Sequence, residues 1–261
     1  MSSSNVTPSV NTLFTSAVAA GDLTKASAMV LTLPDYGAQI QAGLGVQVDD
    51  VAASEVFLVG VLVDDSGSIG SIPDGAKAVR DGHNAIIEAL TDSKQDGILM
   101  TCRNLCKRAV LYPWTPIGTA ARMTSKNYDP NGGSTPLYDG AFIILGSAAA
   151  KAQEFADSGV MARSATLIVT DGADNNSRAT ASQVKKLVED MRKQERHIVA
   201  GMGIDDGTTD FRKVFRDMGI QDQWILTPGN TSSEIRKAFQ VFSRSAVRAS
   251  QSAGAFSKTA A

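Results

Sequence analysis

The chain is poor in the residues that most metal and nucleophile chemistry requires. Its 261 residues include two cysteines and two histidines. Cys102 and Cys106 stand in TCRNLCKR. A lone CxxxC with no further Cys or nearby His is too little for a structural zinc site, so both are read as reduced thiols in a strand region. His83 falls on the apolar face of an expected helix and His197 opens an expected strand, which makes them core or boundary residues. A net charge of −2 lacks the basic excess of nucleic-acid binders. No apolar run approaches the length of a membrane span. MSSSNVTPS has no basic segment leading into an apolar run, so a secretory signal is not expected. A cytoplasmic location follows as the expectation, with no nucleic-acid or membrane partner.

What charge there is lies unevenly. Residues 1–50 carry Lys25 against Asp22, Asp35, Asp49 and Asp50, a balance of −3. Residues 232–261 carry Arg236, Lys237, Arg244, Arg248 and Lys258 against Glu234, a balance of +4. The basic end is read first as a solvated helix surface, with a partner contact as the alternative.

Residues 1–10 are polar and expected to be disordered. Residues 11–50 begin with one or two short helices weakened by Gly21, then pass into a Gly-rich stretch that is hard to assign. Their many apolar residues, Leu13, Phe14, Val18, Leu23 and Leu31 among them, point to an N-terminal extension packed on the main domain. The main domain is expected over 51–250, with a disordered tail at 251–261. EVFLVGVLV (55–63) is a continuous apolar run, as in a strand buried on both faces of a parallel sheet. Helical spacing over 72–91 places Ala76, Val79, His83, Ile86, Ile87 and Leu90 on one face. Strands are expected at 97–105 and 106–114 as an antiparallel pair, then at 164–170, 197–204 and 223–227. A long loop or short irregular helix fills 115–134. Helices are expected at 136–156, 180–195, 208–218 and 232–250. This alternation predicts a doubly wound α/β fold: a mainly parallel six-stranded sheet with one antiparallel edge strand and helices on both faces.

The first of these strands ends in VLVDDSGSIG, where two acids and two serines follow the apolar run. Such groups are costly at the edge of a core unless something uses them. Asp64, Ser66 and Ser68 form D-x-S-x-S. Asp171 ends a later strand in LIVTDGADN, and Thr135 lies between them in NGGSTPLYDG. Ligands of such sheets bind at the carboxyl ends of the strands. Two carboxylates and three hydroxyls there are hard oxygen donors, suited to Mg²⁺ or a similar cation.

In these motifs and their order the chain resembles the von Willebrand factor A domain with a metal-ion-dependent adhesion site (MIDAS), over about residues 55–250. GGSTPLYDG and IVTDGADN are similar to bacterial members, and AFQVFSRSAVRASQSA more loosely to small intracellular ones. The resemblance implies a metal bound by Asp64, Ser66, Ser68, Thr135 and Asp171, with Mg²⁺ expected and Mn²⁺ or Ca²⁺ as alternatives. It implies an open coordination position that accepts a Glu or Asp carboxylate from a protein partner. Asp65, at a variable position of the motif, is expected to point away from the metal.

Simpler readings exist for single residues. Ser68 or Ser71 alone would be read as a helix cap. Asp174, Asn175 and Asn176 read as turn residues, as do Asp205 and Asp206 beside Gly207. Trp114 and Trp224 read as core or rim aromatics. Catalysis is disfavoured, because Ser66 lacks an evident histidine base and Asp64-Asp65 lacks the Asp-x-Asp spacing of a phosphatase. GMGIDDG lacks the lysine of a phospho-receiver, and no phosphate-binding G-x-x-x-x-G-K-[ST] occurs. The expectation is a non-enzymatic, metal-dependent protein-binding module. The alternative is a regulatory or scaffolding subunit of an AAA+ ATPase or a kinase/phosphatase system.

Overall fold

The computed structural model describes residues 8–251, so residues 1–7 and 252–261, on which the expected disordered ends largely fall, lie outside it. Three short helices come first: α1 (Val10–Ala20), α2 (Lys25–Leu31) and α3 (Pro34–Ala42). Ser9 and Thr24 cap the first two through their hydroxyls, and Gly21 ends α1 in the left-handed conformation. Pro34 opens α3, where its missing N–H costs nothing.

Strand β1 (Glu55–Val63) follows, buried from Val56 onward. After it come α4 (Gly67–Ser71) and α5 (Gly75–Asp92), then β2 (Ile98–Asn104) and β3 (Val110–Pro116). Next are α6 (Leu137–Asp157), β4 (Met161–Thr170), α7 (Ala181–Lys193) and β5 (His197–Gly203). The chain closes with α8 (Phe211–Asp217), the two-residue β6 (Ile225–Leu226) and α9 (Ser232–Gln251). The strand order is β3-β2-β1-β4-β5-β6, antiparallel only between β2 and β3.

Several boundaries differ from those the sequence suggests. The second strand of the antiparallel pair begins at Val110, not at residue 106. Residues 106–109 turn instead, with Arg108 at φ 53°. Cys106 therefore lies in a turn, while Cys102 is in β2. The strand expected at 223–227 shrinks to two residues, because 222–224 form a tight 3-10 turn. On α5 the expected apolar face is buried except for half-buried Ala76, and Ala78 and Gly82 join it.

The sheet separates two apolar cores. α5 and α9 cover one face, with Val59, Val61, Ile86 and Phe239 among the buried residues. On the other face α6 lies against β1 and β4, and α1 and α3 pack on its outer side. Thus α6 is buried all round, including Lys151, whose ammonium donates to Glu154 and to the carbonyl of Val46. The segment after α3 also covers the β3 edge: Trp114 N–H donates to the Gly43 carbonyl, and Val46 N–H to the Trp114 carbonyl, both at 3.0 Å. Gly45 between them has φ +63°, and a Cβ there would sit 2.0 Å from the Trp114 carbonyl oxygen, so only glycine fits. An otherwise open sheet edge is closed by this contact.

Candidate metal centre

β1 continues into β2 on one side of the sheet and has β4 on the other. The loops after β1 and β4 therefore diverge, and a crevice opens between them. Parallel pairing sets Val63 beside Val169, and Asp64 N–H donates to the Val169 carbonyl at 3.0 Å. Two neighbouring strand ends thus deliver Asp64 and Asp171 to the same place.

Asp64 is fully buried and firmly held. Its Oδ1 accepts from Ser66 N–H at 2.9 Å and from the Cys106 thiol at 3.3 Å. Its Oδ2 accepts from the Thr170 hydroxyl at 2.7 Å. The Tyr128 hydroxyl donates to its main-chain carbonyl. Asp171 is held otherwise: its Oδ1 accepts from Ser66 Oγ at 3.1 Å and Ser68 Oγ at 3.0 Å, and the two hydroxyls lie 2.9 Å apart. Ser66 stands at the start of α4 without capping it through its side chain, which leaves its hydroxyl to the carboxylate. Ser68 is exposed and sits at the mouth.

Thr135 reaches the same crevice on a third loop, which is fastened on both sides. Gly132 N–H donates to the Asp65 carbonyl at 2.8 Å, and Gly67 N–H donates to the Gly132 carbonyl at 2.9 Å. A Cβ on Gly132 would lie 2.4 Å from Cys106 Cβ, so the close approach needs glycine. On the other side Thr135 N–H donates to Asn175 Oδ1 at 2.7 Å, and Asn175 N–H returns a bond to the Thr135 carbonyl at 3.1 Å. Among the described residues, Thr135 Oγ1 makes no hydrogen bond with the other four candidates. The structure therefore bonds Asp64, Ser66, Ser68 and Asp171 into one cluster and sets Thr135 on the adjoining loop.

Asp65 is buried and turned toward the β2–β3 turn, where its Oδ1 accepts from Cys106 N–H at 2.6 Å and Lys107 N–H at 3.4 Å. Burial raises its pKa, against those two donors. Burial, and then the charge of Asp64, push Asp171 up to about 6, against the serine hydroxyls. Among the described residues no Lys, Arg or His forms an ion pair with Asp64 or Asp171. Two buried carboxylates facing each other across neutral hydroxyls are a donor set that a hard cation would satisfy. No group of three or more His, Cys, Asp or Glu gathers among the described residues, so a metal here would need the hydroxyls as well.

Several partners in this network are not evident from the motifs. Thr170 directly precedes Asp171, and Asn175 lies four residues beyond it, so both sit in the LIVTDGADN stretch, but their bonding reaches across loops. Asp174 also goes beyond a turn role: its Oδ1 accepts from Tyr138 N–H at 3.2 Å, which adds a second tie between the loop after β4 and the start of α6. Asp206 does form a turn, accepting from the N–H groups of Thr208 and Thr209. Elsewhere, Ser164 Oγ and His197 Nδ1 lie 2.8 Å apart, with Gln194 Oε1 2.9 Å from the other ring nitrogen. That trio superficially suggests a nucleophile and base. However, Ser164 is completely buried, at the opposite end of β4 from Asp171. Trp114 is buried and donates to Ser147 Oγ at 2.9 Å, while Trp224 is half-buried.

Sheet order and helix placement make this a von Willebrand factor A fold. Among solved structures, the chain is similar to a von Willebrand factor type A protein from Catenulispora acidiphila, at 18% identity over 75% of this chain and 43% of that one, TM-score 0.50. The pilus adhesin SpaC from Lactobacillus rhamnosus GG matches at 14% identity over 76% of this chain and 30% of that one, TM-score 0.55. Proximal thread matrix protein 1 from the mussel byssus, solved with a zinc-occupied MIDAS motif, matches at 14% identity over 74% of this chain and 46% of that one, TM-score 0.50. This chain therefore spans less than half the length of each, and at these identities the likeness is one of fold. No family model and no curated protein matches the sequence. Among the described residues no helix is long and apolar enough to cross a membrane.

Proposed function

We propose that the chain is a divalent-cation-dependent protein-binding module, with Asp64, Ser66, Ser68, Thr135 and Asp171 as the metal site and no catalytic role. The observation that carries this reading is the shared bonding of Ser66 and Ser68 to Asp171 Oδ1, opposite the buried and fixed Asp64. Oxygen donors alone favour Mg²⁺, which keeps waters where the protein supplies too few ligands. The mussel protein's MIDAS motif takes zinc; here the two-carboxylate, all-oxygen set is better matched to a hard ion. Two carboxylates at most balance a divalent charge, so a Glu or Asp from a partner gains Coulomb energy at an open position. Thr135, unbonded to the other four and held on a fastened loop, is the ligand toward which that carboxylate would draw the ion.

Calorimetry on metal-stripped protein should show one Mg²⁺ site, abolished by Asp64→Ala. Capture of a partner from native lysate should need Mg²⁺, reverse with chelator, and suffer more from Thr135→Ala than metal binding does. Equal Mg²⁺ affinity in wild type and Asp64→Ala would remove the metal site. A partner retained equally with chelator and in both variants would leave the metal without a role in binding.

A further inference from the structure

α9 carries a charged surface that the metal site does not explain. Lys237, Val241, Arg244 and Arg248 are exposed and follow one another at spacings of four, three and four residues, so they share one face of the helix. Among the described residues none of the three cations has an ion-pair partner, whereas Arg236 on the flank of the same helix pairs with Asp81 at 3.7 Å. Arg248 is accounted for by the carbonyl end of the helix, where a cation is favoured. Lys237 and Arg244 have no such reason. Arg244 and Arg248 are also i,i+4 neighbours, and like charges at that spacing destabilise a helix. The stripe borders a groove of about 190 Å³ between α9 and the β5–β6 edge of the sheet, lined by Ile198, Ala200, Trp224, Leu226, Val241 and Phe242. Val241, exposed to 41%, belongs to both the stripe and the groove.

We propose that this face docks an acidic amphipathic segment of a partner protein, whose apolar side chain enters the groove beside Trp224 while its carboxylates lie along Lys237, Arg244 and Arg248. Charge complementarity sets the sign of the occupant, and the concave apolar wall sets its second requirement. Asp222, next in sequence to the groove residues Gln223 and Trp224, pairs with Arg216 and not with the stripe. An anionic bilayer fits less well: a membrane-binding face presents several projecting apolar residues, and here Val241 is the one large apolar side chain that α9 exposes. The metal site lies at the carboxyl ends of β1 and β4 and shares no residue with this groove, so docking here does not depend on a bound cation.

The test uses three short labelled helical peptides: one of Glu and Leu with an amphipathic pattern, its Lys and Leu counterpart, and a Glu and Ala version without a large apolar residue. Binding is read by anisotropy and by the NMR shift of the Trp224 indole, in chelator so that failure of the metal site has no effect. The Glu–Leu peptide should bind, shift the Trp224 signal and weaken with salt. Lys237→Glu with Arg244→Glu should reduce its affinity by about tenfold or more, and Val241→Ser should weaken it too while leaving the charges in place. Both changes are on the surface, and an unaltered Tm would show that the fold survives. Equal binding of the Lys–Leu or Glu–Ala peptide, or undiminished affinity in the charge-reversed protein, overturns the proposal. So does phosphatidylserine vesicle binding that displaces the peptide, or sedimentation showing that a second copy of the chain occupies this face.

Discussion

Asn175 shows how much of the site rests on residues that would not touch a metal. Its side chain and main chain each bond Thr135, which ties the loop after β4 to the loop before α6. Asn175→Ala removes the side-chain acceptor and leaves Thr135 N–H without it. Supporting residues of this kind typically change metal affinity by ten- to a hundredfold. We expect Mg²⁺ affinity to fall by about tenfold, while stability in metal-free buffer drops by only about 1 kcal/mol. Calorimetry and urea unfolding on the same sample separate the two effects. A loss of stability without a loss of affinity would show that the bond serves the fold alone.

His83 and His197 each make the fold sensitive to acid. Burial lowers His83 to about 4 and His197 to about 3, from an ordinary value of 6.5. Both rings are therefore neutral when folded, and the unfolded chain binds protons more readily. Above pH 6.5 their contribution is complete. As pH falls from 6.5 toward 4 the unfolded state alone takes up protons, and stability declines by at most about 1.4 kcal/mol per pH unit for each ring. Below about 4 His83 adds no further loss, and below about 3 neither does His197. Asp171, raised to about 6, takes up its proton first in the folded state over part of the same range and offsets some of this loss. The test is therefore the comparison: the urea midpoint of His83→Gln should fall less steeply with acid than that of wild type. His83 is bonded to the Tyr112 hydroxyl at 2.8 Å, so the variant starts from lower stability; the slope, not the starting value, carries the test.

At the scale of elements, the sequence reveals what depends on local pattern and hides what depends on distant contacts. β1 is legible because it is an unbroken apolar run, and α5 because its buried residues repeat at helical spacing. Asp64, Ser66, Ser68 and Asp171 are legible as motif residues just beyond strand ends, and hydrogen bonds link them there. The turn at 106–109 is not legible. There the Asp65 carboxylate, some forty residues earlier in the chain, takes the N–H groups of Cys106 and Lys107 and delays β3. α3 is obscured by the glycines that follow it, and the need for Gly45 appears only when Trp114 is laid against it. The complete burial of α6 is likewise invisible locally, since α1 and α3 supply the cover.

For the whole molecule, the open question is whether residues 11–50 form a separate unit or one with the sheet; the contacts favour one. Leu31 and Ile40 press so closely on α6 that a Cβ on Gly146 would lie 2.4 Å from Leu31 and 2.9 Å from Ile40. Asp190 on α7 accepts from Thr24 N–H, the Thr24 hydroxyl and the Ser27 hydroxyl at 2.7 to 2.9 Å, so the start of α2 is anchored in the main domain. Arg196 adds an ion pair to Asp22. A small unit tied by both a shared apolar core and buried polar bonds cannot open without exposing α6. The expected result is one cooperative unfolding transition for the whole chain. Leu31 is completely buried, so Leu31→Ala should lower that single transition by about 2–5 kcal/mol. Mg²⁺ at a hundred times its Kd should raise the same transition by about 2.7 kcal/mol, in the variant as in wild type, because binding to the folded chain stabilises whatever unfolds with the site. Differential scanning calorimetry is the measurement. Two transitions, of which Leu31→Ala moves one and Mg²⁺ the other, would mean that the N-terminal helices are an independent domain resting on the sheet.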